Sequence, residues 1–301
     1  MTQSPVKSRC GFVAIIGAPN AGKSTFMNGA LGEKIAIVTP KVQTTRMNMR
    51  GILTEGDTQM VFVDTPGIHK PRRQFDKAMV NAAWQASSDA DAVLLLVDAQ
   101  KGFNGDVQRI LADIAEVKAP KILVLNKVDK MPREKLLPLM GKAGAMGVFD
   151  HIFAISALKN DRIKDVIKCL KGYMPEEPFH YDPEDLTDTP MRVIAAEVTR
   201  ERAFMLLGDE IPYSVNVETV GYVVQEDGSI RIDQNILLER DGQKKIVIGK
   251  GGSMLKKIGE QARKALSEMT GAEVHLFLQV KVREGWASDP HLMRSLGLSD
   301  K

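Results

Sequence analysis

Short apolar runs alternate with longer amphipathic stretches through the first half of the chain. The runs have the length and the Val, Ile and Leu content of buried strands, whereas the stretches between them repeat apolar residues at helical spacing. This alternation is typical of an α/β fold, because each parallel strand needs a crossover to return the chain. The sequence predicts a mostly parallel sheet of six strands, at 12–16, 52–53, 59–63, 92–97, 121–126 and 152–156, with helices at 23–31, 75–88, 106–117, 134–146 and 163–171.

The last third of the chain follows a different order of elements. A helix, two alternating strands, an apolar element, a glycine-rich loop, a basic helix and a final strand are predicted in turn. An α-β-β-α-α-β order with a GxxG loop between two helices is similar to that of an α+β type II KH domain. These elements lie at 193–207, 213–224, 229–239, 245–248, 249–252, 253–269 and 274–282.

Composition separates the two parts of the chain. The stretch 172–190 has four prolines and six acidic residues but no Lys or Arg, which opposes a continuous helix and a packed core. A chain of 301 residues, 44% of them hydrophobic, is also long enough for two domains. The prediction is an α/β domain at 1–175, an acidic linker at 176–190, a KH-type domain at 191–285 and a C-terminal tail at 286–301.

Targeting and redox signals are weak. The longest apolar runs, such as 92–97, are too short to cross a bilayer, and the N-terminus lacks the apolar stretch of a secretory signal. Cys10 and Cys169 are far apart and have no neighbouring His cluster, so neither a disulfide nor a zinc site is indicated. A cytoplasmic protein is therefore expected.

A phosphate-binding motif follows the first predicted strand. The sequence GAPNAGKS at 17–24 fits GxxxxGK[ST] and lies where a strand leads into a helix. Backbone N–H groups and the helix dipole would face a polyphosphate, Lys23 would bridge the outer phosphates, and the Ser24 hydroxyl would bind Mg²⁺. The predicted phosphate-binding residues are Gly17, Ala18, Pro19, Asn20, Ala21, Gly22, Lys23, Ser24 and Thr25.

Three further motifs lie at strand ends, one expected to bind Mg²⁺ and the terminal phosphate and two expected to select guanine. Asp64 can hold Mg²⁺ through water, and the Gly67 N–H can sense the terminal phosphate. Asp129 can accept from N1–H and the exocyclic amine of guanine, donors that adenine does not offer in that arrangement, and a backbone N–H of 156–158 would bind the guanine carbonyl. The residues so assigned are Asp64, Thr65, Pro66, Gly67, Ile68, Asn126, Lys127, Val128, Asp129, Ser156 and Ala157.

These motifs resemble those of the translation-factor-related GTPases, and nearly the whole chain is similar to the bacterial Era family. The resemblance implies a GTPase domain and a type II KH domain, hydrolysis of GTP to GDP and phosphate, and Mg²⁺ as cofactor. The second half carries the more specific motifs. The matching segments are GAPNAGKST (17–25), QTTR (43–46), DTPGIH (64–69), NKVD (126–129), SAL (156–158), DEIPYS (209–214), ERDGQKKIVIGKGG (239–252) and SLGL (295–298).

Slow intrinsic hydrolysis is expected, because Ile68 stands where many GTPases have a Gln that orients water. His69 could act as a base or be a mobile switch residue. In relatives an Asn at the position of Asn20 holds a potassium ion, although Asn is also favoured in turns. Either Thr44 or Thr45 can close over the terminal phosphate and Mg²⁺, and analogy favours Thr45. The predicted catalytic residues are Lys23, Thr45, Gly67 and Asn20, and the metal ligands are Ser24, Thr45 and Asp64.

A basic segment lies around the glycine loop of the last third. Between 240 and 264 there are eight basic residues and two acidic ones, which indicates a polyanion-binding surface. A GxxG loop lets a nucleic-acid backbone approach closely while bases lie in an adjacent apolar groove. The predicted RNA-binding residues are Lys244, Lys245, Ile246, Ile248, Gly249, Lys250, Gly251, Gly252, Lys256 and Lys257.

The resemblance implies a partner and a process. The RNA would be 16S ribosomal RNA near its 3′ end, bound by a monomer that acts in rRNA processing and 30S subunit biogenesis. An alternative is a peripheral membrane-associated signalling GTPase linked to cell-cycle control, whose basic helix contacts anionic lipid of the inner membrane; weak membrane contact could also accompany the first function. A third interpretation, an RNA chaperone with a vestigial nucleotide fold, is disfavoured by intact Lys23, Asp64 and Asp129.

Overall fold

The computed structural model describes residues 8–71 and 73–298. The remaining residues, which fall in the predicted first domain and the predicted tail, lie outside this description. The chain forms two compact units. Among the described residues, the first unit contains 8–36, 45–71, 73–188 and 294–298, and the second contains Ile37–Thr44 and Thr189–Met293.

The first unit is built on a sheet of six strands with helices between them. Its strands are β1 (Arg9–Gly17), β2 (Met49–Glu55), β3 (Thr58–Asp64), β4 (Ala92–Asp98), β5 (Lys121–Asn126) and β6 (His151–Ala154). Its helices are α1 (Lys23–Leu31), α2 (Gln74–Ser88), α3 (Gly105–Ile114), α4 (Arg133–Ala145) and α5 (Ile163–Lys171). The sheet order is β2-β3-β1-β4-β5-β6, and β2 is antiparallel to β3 while the other pairs are parallel. The prediction of a mostly parallel six-stranded sheet is confirmed.

The central strands of the sheet are covered on both faces, and their residues are accordingly apolar. Every residue of β4 is buried, as the run AVLLLV requires. Strand β2 is longer than the two apolar residues that predicted it, because it pairs with β3 from Met49 to Glu55 across a tight hairpin. The carboxyl ends of β1, β3, β4 and β5 lie along one edge of the sheet, where ligands of such folds bind.

The acidic segment that was expected to be a linker lies along the edge strand β2. The Ile52 N–H donates to Leu186 O at 2.9 Å, and the Thr187 hydroxyl donates to the Arg50 carbonyl at 2.6 Å. The Arg50 guanidinium also pairs with Asp188 at 2.7 Å. Residues 186–188 therefore belong to the first unit and cover an edge that would otherwise be open to pairing. The bounds of the four predicted domains stay a prediction.

The second unit has the order predicted for a KH domain. Its elements are α6 (Met191–Leu206), β7 (Val215–Val224), β8 (Ile230–Leu238), α7 (Asp241–Ile248), α8 (Ser253–Thr270) and β9 (Val274–Val282), and a short helix α9 (Pro290–Ser295) follows. Strand β8 is antiparallel to β7 and parallel to β9. The apolar positions of α8 that are fully buried, Ile258, Ala262 and Leu266, are four residues apart and thus lie on one face of the helix.

Candidate nucleotide and RNA sites

The predicted phosphate loop joins β1 to α1. The Lys23 side chain is buried, and its ammonium donates to the carbonyls of Gly17 (3.2 Å) and Ala18 (3.3 Å), so it lies under the loop. Gly22 has a φ of 98°, and a Cβ there would lie 2.3 Å from Asn126 Nδ2. This position requires glycine for both its backbone conformation and the close approach.

Three predicted metal ligands converge at the start of α1. The Ser24 hydroxyl donates to Asp64 Oδ2 at 2.6 Å and lies 3.0 Å from the Thr45 hydroxyl, and Thr45 Oγ1 lies 3.4 Å from the same carboxylate oxygen. Thr44 points elsewhere, because its hydroxyl donates to Lys41 O at 2.7 Å. Of the two threonines that the sequence left open, Thr45 is the one that lies at this cluster.

Burial changes the protonation of the two charged groups beside the phosphate loop. Desolvation lowers the pKa of Lys23 to about 8, although the Asp64 charge opposes the change. Desolvation raises the pKa of Asp64 from 3.8 to about 6, against the effects of Lys23 and of the hydrogen bonds from Ser24 and Thr45. Each group thus sits in an environment that favours its neutral form more than water does.

A pH-dependent stability follows from the raised pKa of Asp64. Between pH 4 and 6 the folded protein retains a proton that the unfolded chain releases, so stability falls as the pH rises through this window. We expect the free energy of unfolding of the parent, relative to Asp64→Asn, to fall by about 2–3 kcal/mol between pH 4 and 7. Denaturant titrations without nucleotide or Mg²⁺ would measure it, and a rise of this difference with pH would contradict the expectation. The titrations end at pH 7, below the lowered pKa of Lys23, so that Lys23 stays mostly protonated throughout.

The predicted guanine motif is held by Asn126. Its amide donates to Ala21 O at 2.9 Å, and its Oδ1 accepts from the backbone N–H groups of Lys127 (2.8 Å) and Ala157 (2.9 Å). One side chain therefore joins the phosphate loop, the 126–129 loop and the 156–158 loop. One of the amides that the sequence assigned to the guanine carbonyl, that of Ala157, is thus bound to Asn126.

The sequence prediction missed two contacts of this motif, although it had assigned Ser156 to the nucleotide site. The Ser156 hydroxyl donates to Asp129 Oδ1 at 2.6 Å, which orients the carboxylate that was assigned to guanine. Asp98, at the end of β4, forms an ion pair with Lys127 at 2.8 Å, and the Lys127 ammonium also donates to Asn20 O at 2.5 Å. The only sequence signal for this role of Asp98 was the position of an acidic residue at the end of a buried strand.

The residues after β3 pack against the phosphate loop. A Cβ on Gly67 would lie 2.9 Å from Pro19 Cα, so this glycine permits the close approach of the two loops. The Ile68 N–H donates to Gly17 O at 3.0 Å, and the Ile68 side chain is buried in the apolar core. His69 Nδ1 lies 2.9 Å from Gly67 O, so the imidazole is held against the chain by this contact.

Asn20 has the left-handed backbone conformation that favours asparagine in turns. Its φ is 62°, which fits the turn interpretation of this residue. The potassium interpretation is independent of this backbone conformation, since it concerns the side chain.

The predicted RNA loop separates α7 from α8, and its two central residues, Lys250 and Gly251, are exposed. A Cβ on Gly249 would lie 2.8 Å from both Met254 N and Met254 Cβ, so this glycine is needed for packing. Gly251 and Gly252 have φ values of 59° and 81°, and a Cβ on either would meet nothing within 4 Å. A ligand backbone could therefore come close to the protein backbone at these two glycines. Ile246, just before the loop, exposes 52% of its surface.

The predicted basic residues fall on accessible parts of the same segment. Lys245, Lys250, Lys256 and Lys257 are exposed, and Lys244 and Ile248 are half-buried. The apolar face of α8 is occupied by the core of its own unit, so it is not open to a lipid surface. Across the part of the chain that the structure describes, no helix has the length and apolarity needed to cross a membrane.

Comparison with known families gives matches to both units. Residues 12–127 match the family described as "50S ribosome-binding GTPase", and residues 210–287 match the KH domain family. The chain is 52% identical over 291 residues to GTPase Era of Bradyrhizobium sp. (strain ORS 278), covering 97% of this chain and 95% of that protein. It is 50% identical over 293 residues to GTPase Era of Rhizobium meliloti, with 97% and 94% covered.

Two solved structures cover nearly the whole chain. One is Era in complex with MgGDPNP and nucleotides 1506–1542 of 16S ribosomal RNA, with a TM-score of 0.92, 35% identity, and 97% of this chain and 99% of that chain covered. The other is a variant of Aquifex aeolicus Era bound to GDP and AlF₄⁻, with the same score, identity and coverage.

The fold and the site together define a GTP-hydrolysing P-loop enzyme with a C-terminal KH domain. The matches extend over both units. The chain belongs to the Era family of GTPases.

Proposed function

We propose that this chain uses its GTP cycle to control binding of the 3′ region of 16S ribosomal RNA, and that it acts in rRNA processing and 30S subunit biogenesis. The observation that supports this most strongly is the likeness of both units to the Era structure that holds a GTP analogue and this RNA. The exposed glycine loop of this chain, with its open backbone, supplies the matching surface. The GTPase-family description names the 50S subunit, but that match covers only residues 12–127 and does not include the RNA-binding unit.

The residues around Ser24 fit a magnesium ion. Asp64 Oδ1 is buried and has no hydrogen-bond partner among the described residues, as expected of an oxygen that faces a cation or its water. Ser24 and Thr45 would hold the ion directly, and Asp64 would hold it through water. When bound, Mg²⁺ would neutralise charge on the β- and γ-phosphates during phosphoryl transfer.

The chain's own groups supply the remaining phosphate contacts. Lys23 would leave its two loop carbonyls to pair with the outer phosphates, and the backbone N–H groups of 20–25 would face the anion at the start of α1. The Gly67 N–H would contact the terminal phosphate. Because Ile68 is packed in the core and has no polar side-chain atom, it cannot orient the attacking water, and we expect slow intrinsic hydrolysis.

The guanine base would bind at Asp129. The carboxylate is oriented by Ser156 and would accept from both N1–H and the exocyclic amine. Asn126 would keep this pocket in register with the phosphate loop, since it binds Ala21 O and the Ala157 N–H. The likeness to Era supports these assignments, and the geometry is compatible with them.

Potassium is the remaining catalytic prediction. If K⁺ at Asn20 neutralises charge in the transition state, replacing K⁺ by Na⁺ should slow hydrolysis in the parent but have little effect in Asn20→Gly. Glycine is the suitable replacement because it adopts the φ of 62° without strain. Single-turnover rates in the two salts would measure this, and equal rates for the parent would remove potassium from the mechanism.

The RNA assignment has a direct test. Ultraviolet crosslinking with sequencing of the bound RNA, with a GTP analogue and with GDP, should recover the 3′ region of 16S rRNA most strongly with the analogue. Recovery of 23S rRNA instead, or of no preferred RNA, would contradict the proposal. The membrane-associated alternative finds no support in the relatives and structures named above.

A further inference from the structure

The Lys127 ammonium joins two loops of the first unit. It pairs with Asp98 Oδ2 at 2.8 Å, at the end of β4, and donates to the Asn20 carbonyl of the phosphate loop at 2.5 Å. Its charge is therefore engaged with protein groups. Lys127 links the 126–129 loop to the phosphate loop, and Asp98 supplies the negative charge of that link.

The Asp98 carboxylate is itself held in place. The residue is 8% exposed, and its other oxygen, Oδ1, accepts from the Gln100 N–H at 3.1 Å. Asp98 is the last residue of β4 and is in register with Asn126, the last residue of β5. The Ala99 N–H also donates to the Asn126 carbonyl at 2.9 Å. The sheet therefore places Asp98 beside the loop that follows Asn126.

The ammonium of Lys127 joins two residues that both have left-handed backbone conformations. Lys127 has a φ of 67° and Asn20 has a φ of 62°. Asparagine tolerates such a turn, whereas lysine has no side-chain group that favours it. Strained conformations persist where the surrounding contacts fix them. The contacts that fix Lys127 include its N–H, which donates to Asn126 Oδ1 at 2.8 Å, and the ion pair with Asp98.

Partial burial makes the ammonium dependent on its counter-ion. The Lys127 side chain is 26% exposed and that of Asp98 is 9% exposed. A partly buried ammonium without a paired charge gains free energy by turning toward water. Without Asp98, Lys127 is therefore expected to turn outward and to leave the Asn20 carbonyl as well.

We propose that Asp98 is a positioning residue for the guanine nucleotide, which holds the Lys127 ammonium on the Asn20 carbonyl and so keeps the 126–129 loop and the phosphate loop in one arrangement. The inference rests on the proposed binding of guanine at Asp129 and of phosphates at 17–25. Asp98 acts through Lys127 and has no contact of its own with the nucleotide. Without it, nucleotide binding would have to supply the ordering of the two loops, at a cost in affinity.

Equilibrium binding of labelled GDP to the full chain tests this role. Asp98→Ala should raise the Kd for GDP about 30-fold, the effect of losing one charge-assisted hydrogen bond. Asp98→Asn retains an oxygen for the Lys127 ammonium but lacks the charge, and it should raise the Kd only about fivefold. A residue needed only for folding would show no such graded loss among variants that remain folded at the temperature of the measurement.

A matched control breaks another ion pair of the same unit. Glu55 pairs with Lys171 at 2.6 Å and lies at the hairpin between β2 and β3, at the opposite end of β3 from Asp64. Glu55→Ala thus removes a carboxylate from a lysine pair without touching either nucleotide loop. Its Kd for GDP should equal that of the parent.

Inosine diphosphate separates this role from recognition of the base. Its base lacks the exocyclic amine, so that Asp129 can accept only from N1–H. Because Asp98 acts through the two loops, Asp98→Ala should weaken the binding of GDP and of inosine diphosphate by the same factor. If the variant instead discriminates less between the two nucleotides, Asp98 orients the Asp129 carboxylate and the proposal is wrong.

A double-mutant cycle shows whether Asp98 acts through Lys127. Lys127→Met keeps the methylene stem but lacks the ammonium, so it should raise the Kd for GDP about as much as Asp98→Ala does. The combined variant should lose no more affinity than either single variant. Additive losses would show that Asp98 acts elsewhere and would overturn the proposal.

The outcomes separate this role from the proposed function. If Asp129→Asn binds GTP as tightly as the parent, the assignment of the guanine pocket fails. If Asp129→Asn loses GTP but Asp98→Ala binds GDP like the parent, the positioning role fails alone. An equal loss in Glu55→Ala would also reject it. Should Asp98→Ala not fold, a Kd equal to that of the parent in both Asp98→Asn and Lys127→Met decides against the proposal.

Discussion

Replacing Asp129 by Asn is expected to change the preferred nucleotide from GTP to xanthosine triphosphate. The carboxylate would accept two hydrogen bonds from guanine, and an Asn amide can accept only one while its NH₂ opposes the exocyclic amine. Xanthine has a carbonyl in place of that amine, so it matches the Asn side chain. Two charge-assisted hydrogen bonds at about 1.5–3 kcal/mol each correspond to a loss of GTP affinity of about 100- to 10,000-fold.

Competition binding with labelled nucleotides would measure this change. The matched control is Ser156→Ala, which removes the hydroxyl that donates to Asp129 at 2.6 Å but leaves both guanine-binding oxygens in place. It should weaken GTP binding by less than Asp129→Asn does and should gain nothing for xanthosine triphosphate. An Asp129→Asn protein that binds GTP as tightly as the parent would show that the guanine pocket lies elsewhere.

The sheet was predictable because its central strands are buried on both faces. A run such as 92–97 has no polar residue, and such a sequence has few alternatives to a central parallel strand. The final strand, predicted at 274–282, has those bounds in the structure as well. Strand β6 was less well predicted: it ends at Ala154, because Ser156 pairs with Asp161 in a separate turn.

The site was only partly predictable, because motifs name residues but not their partners. GxxxxGK[ST] and NKxD identified the phosphate and guanine loops from contiguous sequence. The contacts that orient these loops join positions that are distant in the sequence, such as Ser156 with Asp129 and Asp98 with Lys127. No local sequence pattern predicts such pairs. The sequence could not decide between Thr44 and Thr45 for the same reason. Which of two adjacent threonines faces Ser24 and Asp64 depends on the folded backbone, and no local pattern indicates it.

The acidic segment shows how composition can mislead about contact. Its prolines and like charges predicted a loosely packed linker. Yet prolines are compatible with extended backbone, and Thr187 and Asp188 meet the Arg50 carbonyl and guanidinium of β2. The sequence separation of Arg50 and Asp188 hid this ion pair.

The largest loss of RNA binding is expected from Lys250→Asp combined with Gly251→Asp. The double change reverses one charge, adds another and places a side chain in the open space above Gly251, where a phosphate would approach. We expect affinity for a single-stranded RNA with the sequence of nucleotides 1506–1542 of 16S rRNA to fall by at least about 100-fold, and the salt dependence of binding to become shallower. Affinity for GTP should persist, because the nucleotide motifs are untouched.

A charge-matched control is available on α4 of the first unit. Lys142 and Gly144 are both exposed, and a Cβ on Gly144 meets nothing within 4 Å, so Lys142→Asp with Gly144→Asp makes the same chemical change in the other unit and leaves the glycine loop intact. Its smaller loss of RNA affinity would give the nonspecific effect of net charge. If the two double variants bind RNA equally, or if both match the parent, the RNA does not lie at the loop between α7 and α8.

The same RNA measured with GTP analogue and with GDP tests whether the two functions are coupled. A switch that acts through Thr45 and Gly67 should make RNA affinity depend on the nucleotide in the parent, by about 5- to 150-fold for a typical coupling between sites. By reciprocity, bound RNA should raise the affinity for the GTP analogue by the same factor. Identical RNA affinities in the two nucleotide states would reject the switch while leaving both binding sites in place. In Thr45→Ala the difference between the two states should shrink, because the side chain that contacts the terminal phosphate is gone.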